Sequence, residues 1–326
     1  MKVDDYIQSS SRIRVLEKSL LTKSDFNRMI EAESLDEAIS VLRESKYSPF
    51  FNNINDPLEY DVSLQEAEKD LYKNLKELGG NELYKFFTTK FDIHNLKIFL
   101  KDRLMGTDNK DLLIENTEYD KDFLENLFSG SRDKTNLYSK IESEIQSIKD
   151  TRGIEILVDK YYLKELEEMA KSFKYPYFEK LVKDEIDFQN IYMLIRSKFQ
   201  SNELDFVKKI VADGGNISKE KLFAHYYEAL DGFILSFKYE EIYKLLKEGL
   251  DMYNKSGRIS DFEKAKDYYD ILNLKENRFV VTGPEVIYTY FKLRERELKN
   301  IRIILLSKQN GLSNDFIKER LGETYV

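Results

Sequence analysis

The sequence predicts an all-α protein made of three similar helical subdomains. Two observations predict it. Helix breakers are scarce, with 13 Gly and 4 Pro in 326 residues, too few for the turns that a sheet protein of this length needs. One phrase is also written three times: DIHNLKIFL at 92–100, DFQNIYMLI at 187–195 and ELKNIRIIL at 297–305. Each copy is a carboxylate, an apolar residue, a variable residue, an Asn and then an apolar-rich helical stretch. A second cluster follows each Asn by 16, 15 and 15 residues: Asp111-Leu112-Leu113, Asp205-Phe206-Val207 and Asp315-Phe316-Ile317. A period near a hundred residues is too long for the short solenoid repeats, so it indicates three subdomains rather than a many-unit array. The expected boundaries are 1–118, 119–214 and 215–326.

Helix signals run in order along the chain. Ile13, Leu16, Leu20 and Leu21 share one helix face. Ser34 and Glu37 have capping-box spacing ahead of LDEAISVLRES. Pro49 and Pro57 bracket an expected loop, SPFFNNINDP. A long helix is expected over 64–78, stopped by Gly79-Gly80. The first phrase lies on a helix over 81–104, ended by Gly106. Helices are expected over 120–128, 136–149 and 153–173, with breaks at Ser129-Gly130-Ser131 and Tyr175-Pro176. The second phrase lies on a helix over 177–198. Asp213-Gly214-Gly215-Asn216 is a strong turn signal, and Asn216 or Ser218 caps a helix running SKEKLFAHYYEAL. Ser260 and Glu263 again have capping-box spacing. Gly283-Pro284 opens the helix of the third phrase, with Pro at its first position and Glu285 in its first turn. That helix ends near Asn310-Gly311, and a short helix carries Phe316 and Leu321.

Composition removes several function classes. The chain has no cysteine, which excludes a disulfide scaffold, thiol catalysis and Cys-ligated metal. No apolar run approaches the ~20 residues that span a bilayer, and the start MKVDDYIQSSS is not a secretory signal. A net charge of −8 argues against general nucleic-acid binding, which needs a basic face. The densest basic stretch is Lys292, Arg294, Arg296, Lys299 and Arg302, interrupted by Glu295 and Glu297. Such alternation reads as a solvated helix face with i,i+4 pairs, or else as a stripe facing a partner, with Arg294 and Arg296 its candidates.

The repeated phrase is the candidate site. Its carboxylate and Asn stand three apart, on one helix face, among apolar neighbours. The pairs are Asp92 with Asn95, Asp187 with Asn190, and Glu297 with Asn300. A buried Asn left without partners costs roughly 1–3 kcal/mol, so each pair is expected to act as a polar clasp that fixes helix packing. Catalysis by a carboxylate–amide pair is the competing reading, but three near-identical sites without another reactive group beside them do not suit it. His94 lies in the first phrase, where Gln189 and Lys299 replace it in the others, so it is expected at the surface or at its boundary with the core. His225 is expected to be half-buried, and two isolated histidines do not make a zinc site. Neither Gly-Gly pair is followed by Lys-Ser/Thr, so no phosphate loop is present. No cofactor is expected.

The chain resembles the C subunit of the prokaryotic V/A-type rotary ATPase/ATP synthase, the counterpart of the d subunit of the eukaryotic vacuolar enzyme. Four stretches carry the resemblance: the opening SSRIRVLEKSLLTKSDFNRMIEAESLDEAISVLRESKYSPFF, the three Asn phrases, LVDKYYLKEL at 157–166, and the ending YFKLRERELKNIRIILLSKQNGLSNDFIKERLGETYV. The segment 48–57 departs from the pattern, being rich in Asn where Thr and Gly are usual. The resemblance implies a funnel of helices with pseudo-threefold symmetry that is a non-catalytic rotor part. It implies partners in the D and F subunits of the central shaft and in the membrane proteolipid (c/K) ring, and a peripheral place on the cytoplasmic face. It implies torque passed between shaft and ring by a subunit that binds no nucleotide and moves no ions itself. The residues alone leave open a helical scaffold or adaptor of another assembly.

Overall fold

The computed structural model describes residues 1–321 apart from 115, 116, 118, 120, 129–140, 142, 143, 146, 147 and 149. Every regular element among the described residues is a helix. The expected break at Ser129-Gly130-Ser131 and most of the expected helix over 136–149 lie outside the described residues. The chain forms two compact units: Met1–Tyr84 together with Glu263–Val326, and Lys85–Phe262.

The first unit is organised on the helix Pro284–Gln309, which buries Val286, Ile287, Tyr290, Phe291, Ile301, Ile304 and Leu305. Pro284 sits at its start, where the missing N–H is no loss. The helices Ile7–Leu16, Lys23–Glu31, Leu35–Arg43 and Asn314–Arg320 pack on it. A reciprocal cap starts Lys23–Glu31: Asp25 N–H donates to Thr22 Oγ1 at 3.3 Å, and Thr22 N–H donates to Asp25 Oδ2 at 2.8 Å. At Ser34 only half of the expected box forms. Glu37 N–H donates to Ser34 Oγ, but the Glu37 carboxylate reaches one residue further back, to Glu33 N–H. The expected loop between Pro49 and Pro57 contains a helical turn, Ser48–Phe51, and a 3-10 turn, Pro57–Glu59. Each proline lies in the first turn, where its fixed φ favours helix.

The expected stop at Gly79-Gly80 takes an economical form. Helical residues run over Tyr60–Met105, and Gly80 alone leaves helical geometry, at φ 75° and ψ 176°. One residue with no Cβ redirects the chain without a loop. At the far end Gly106, at φ 70°, donates its N–H to Asp102 O and ends the helix of the first phrase.

In the second unit the helices Thr151–Phe173 and Pro176–Phe199 pack along each other. They are joined through Lys174 in the left-handed region, at φ 50°. Phe86, Phe173 and Phe178 form a mutual aromatic contact, with ring centres 5.3–5.6 Å apart. Ile93, Leu96 and Leu100 of the first phrase join Leu124, Ile154, Leu157 and Val158 in one apolar cluster. The helix expected from 218 to 230 stops early, at Ala224, and a separate turn covers Leu230–Leu235. No helix among the described residues is long and apolar enough to cross a membrane.

Candidate functional site

All six residues of the repeated carboxylate–Asn pairs are buried: Asp92, Asn95, Asp187, Asn190, Glu297 and Asn300 are each at most 5% exposed. A helix places carboxylate and Asn on one face, one turn apart, because they stand three residues apart. The first two pairs lie in the second unit and the third in the first unit.

Asn95 holds the chain that follows its own helix. Its Nδ2 donates to Ile114 O at 2.9 Å, Thr117 Oγ1 at 2.9 Å and Tyr119 O at 3.0 Å, while its Oδ1 accepts from Ile114 N–H at 2.8 Å. Asp92 Oδ1 accepts from Tyr119 N–H at 3.0 Å. The second pair repeats this arrangement. Asn190 Nδ2 donates to Ala212 O at 3.0 Å, and Ala212 N–H donates back to Asn190 Oδ1 at 2.8 Å. Asp187 accepts from Asn216 N–H, Asn216 Nδ2 and Ile217 N–H at 3.0, 2.9 and 3.1 Å. Burial pushes the Asp187 carboxyl above its usual range, and these N–H donors pull against it. Gly215 makes the approach possible: a Cβ there would lie 2.1 Å from Asp187 Oδ1. Asn216, one of the two expected helix caps, is engaged with Asp187 and Asp184 instead, and Ser218 caps the helix, accepting from Lys221 N–H.

The third pair carries more charge. Glu297 Oε1 accepts from Leu21 N–H, and Glu297 Oε2 accepts from the fully buried Tyr47 hydroxyl at 2.9 Å. Lys46 Nζ lies 2.5 Å from Glu297 Oε2, and Arg294 Nε lies 3.4 Å from it. These are ion pairs without hydrogen-bond geometry, so both nitrogens lack a hydrogen-bond partner. Arg294 spends another N–H on Tyr290 Oη at 3.0 Å, and its guanidinium stands 5.4 Å from the Tyr47 ring centre. Burial pulls the Lys46 amine down to about 8 against the attraction of Glu297, and Arg294 adds repulsion. Burial and the Glu297 carboxylate both hold the Tyr47 hydroxyl well above its ordinary range.

The basic stretch divides by burial. Arg294 is 9% exposed, and Arg296 is half-buried with Nη2 3.8 Å from Asp267. Lys299 and Arg302 are the exposed members, near Asp267 and near Asp61 and Glu68 respectively. His94 is exposed, with Nε2 3.1 Å from Leu112 O. His225 is half-buried beside Glu228, at 2.6 Å. Among the described residues no group of three His, Asp or Glu side chains is placed to hold a metal ion.

Lys46, Tyr47, Gly215 and Asn216 are the members of these junctions that reading the sequence for buried faces does not find. Two signals were available: the Ser45–Ser48 stretch SKYS inside the opening stretch, and the Gly-Gly-Asn turn. Chemically the three carboxylates are occupied by N–H donors and, at Glu297, by cations.

Comparison with known proteins gives one consistent result. Residues 9–320 match the family model described as ATP synthase (C/AC39) subunit. The C subunit of the V-type sodium ATPase of Enterococcus hirae is 23% identical over 334 residues, covering 98% of this chain and 99% of that protein. The C subunit of the A-type ATP synthase of Methanocaldococcus jannaschii is 24% identical, covering 97% of this chain and 86% of its own. That of Pyrococcus horikoshii is 23% identical, covering 99% and 91%.

Proposed function

Because this chain belongs to the ATP synthase (C/AC39) subunit family, we propose that it is a non-catalytic rotor subunit of a V/A-type ATPase, a socket between shaft and ring. In this role it seats the D and F subunits of the central shaft on the membrane proteolipid ring. It passes torque from ATP hydrolysis to ion pumping, or from the ion gradient to ATP synthesis. The observation that carries the reading is the family match over residues 9–320, reinforced by relatives aligned along nearly the full length of both chains. The all-helical build is consistent with it. A part that transmits torque needs stiffness, and capped helices joined by buried polar contacts supply it. No described helix can cross a membrane, so attachment to the membrane complex would run through the ring, on its cytoplasmic face. The three carboxylate–Asn pairs act as structural clasps in three similar units, 1–118, 119–214 and 215–326.

Reconstitution tests this. The purified chain, mixed separately with the D/F shaft and with detergent-solubilised proteolipid ring, is expected to bind both. A complex assembled without it is expected to hydrolyse ATP without pumping ions. Absence of binding to either partner, or full pumping without this chain, overturns the proposal.

A further inference from the structure

The three carboxylates share more than their phrase. Each accepts the backbone N–H of a residue that stands two positions before a helical Lys: Tyr119 for Asp92, Ile217 for Asp187 and Leu21 for Glu297. Leu21, Tyr119 and Ile217 are spaced 98 residues apart. They open the stretches Leu21-Thr22-Lys23, Tyr119-Asp120-Lys121 and Ile217-Ser218-Lys219. The Lys begins a helix in every copy: Lys23–Glu31, Lys121–Phe128 and Lys219–Ala224. Five residues after each opening residue comes a buried apolar side chain: Phe26, Leu124 and Leu222.

A second contact repeats in the same register. Eight residues after the phrase Asn stands a cation: Arg103, Lys198 and Lys308. Lys198 Nζ donates to Tyr226 O and to Glu228 O, which lie nine and eleven residues after Ile217. Lys308 Nζ donates to Ile30 O at 2.5 Å and Ala32 O at 2.6 Å, which lie nine and eleven residues after Leu21. Two different kinds of contact, a carboxylate on an N–H and an ammonium on paired carbonyls, thus agree on one alignment. In the first two copies the held segment follows its phrase by 27 and 30 residues. In the third it precedes the phrase by 276 residues.

We propose that the three repeats close on one another: the N-terminal segment through Ala32, which carries the opening of the first repeat, is a strap that Glu297 and Lys308 of the third fasten across the Pro284–Gln309 helix. The first two phrases hold the opening of the next repeat and the third holds the opening of the first, so the repeat contacts form a closed cycle. The helix Asn314–Arg320 also packs on Lys23–Glu31, so the strap is held by a second element that follows the third phrase. The strap also explains why residues 1–84 and 263–326 form one compact unit. The proposal rests on the reading of three similar units and not on the rotor assignment, so its failure leaves binding to shaft and ring untouched.

Hydrogen exchange on the full-length protein tests it. Lys308→Met is expected to speed exchange of amides in 21–32 on the order of tenfold and to leave 217–228 unchanged. Lys198→Met is expected to do the reverse. Because Glu297→Gln alone strands two buried cations, it is paired with Lys46→Met, which keeps the net charge of the cluster, and the pair should also open 21–32. A circular permutant, with 326 joined to 1 through a long Gly/Ser linker and new ends in the exposed stretch 106–109, is expected to keep the helicity and cooperative melting of the wild type. Exchange in 21–32 unmoved by both Lys308→Met and the paired variant, exchange raised equally in the two segments, or a permutant that fails to fold, overturns the proposal.

Discussion

Lys46→Met is the most informative single change to the Glu297 cluster. The amine at position 46 is buried beside one carboxylate and a second cation, and its pKa falls from 10.5 to about 8. In the unfolded chain it returns to the ordinary lysine range. Between these values the unfolded chain binds more protons than the folded one, so stability rises with pH across the window from about 8 to 10.5. Below about pH 8 the full cost of holding the charge is present, about 3 kcal/mol. At pH 10 most of that cost is gone, leaving about 1 kcal/mol. Methionine keeps most of the stem volume and removes the titration. Glu297 retains Leu21 N–H, the Tyr47 hydroxyl and Arg294, so no buried carboxylate is stranded. Wild type should therefore gain about 2–3 kcal/mol on Lys46→Met between pH 7 and pH 10. Urea unfolding of both proteins at unit pH intervals measures it, and Tyr47, common to both, cancels. Parallel pH profiles for the two proteins would refute the reasoning, because they would mean that Lys46 is neutral at pH 7 or is solvated when folded.

Three further changes probe the second junction and the helix break. Asn190→Ala leaves Ala212 N–H and C=O without the partner they share and should cost about 1–3 kcal/mol in urea unfolding. Gly215→Ala puts a Cβ where Asp187 Oδ1 stands, at 2.1 Å, and should cost about 3 kcal/mol; most of that loss should disappear in an Asp187→Ser background, and equal losses in both backgrounds would contradict the close-approach account. Gly80→Ala meets no atom within 4 Å of the new Cβ but keeps φ near 75° with ψ near 176°, a region essentially closed to other residues, so backbone strain alone should lower the stability of the first unit by about 1–3 kcal/mol.

Features set by side-chain type at a fixed spacing were legible in the sequence. The phrase residues read as buried because their apolar neighbours occupy the same helix face, and they are buried. Pro284 at a helix start and Gly106 and Gly311 at helix ends were legible because only those residue types suit those backbone positions. What the sequence concealed was set by backbone groups, which every residue carries alike. Nothing marks Leu21, Tyr119 or Ile217 as a donor to a distant carboxylate. The early stop at Ala224 has the same origin. The carbonyls of Tyr226 and Glu228 go to Lys198, so the chain turns there although 218–230 carries no breaker.

Chain connectivity gives a physical reason for the additional hydrogen bond at the third junction. The contacts of Asp92 and Asp187 close segments of 27 and 30 residues, whereas the contact of Glu297 with Leu21 joins residues 276 apart. Taken alone, closing the longer segment costs about 2 kcal/mol more in chain entropy, because the cost grows with the logarithm of length. To be as firm as the other two, the third junction needs additional favourable contacts of that size. Glu297 has such a contact in the Tyr47 hydroxyl, a hydrogen bond to a charged acceptor of about 1.5–3 kcal/mol. Lys46 works in the opposite direction at neutral pH, since its burial cost exceeds what Glu297 returns. The third junction thus strengthens as the pH rises through the Lys46 window, from about 8 to 10.5, and raising the pH across it should tighten the strap while leaving the neutral contacts of Asn190 with Ala212 unchanged.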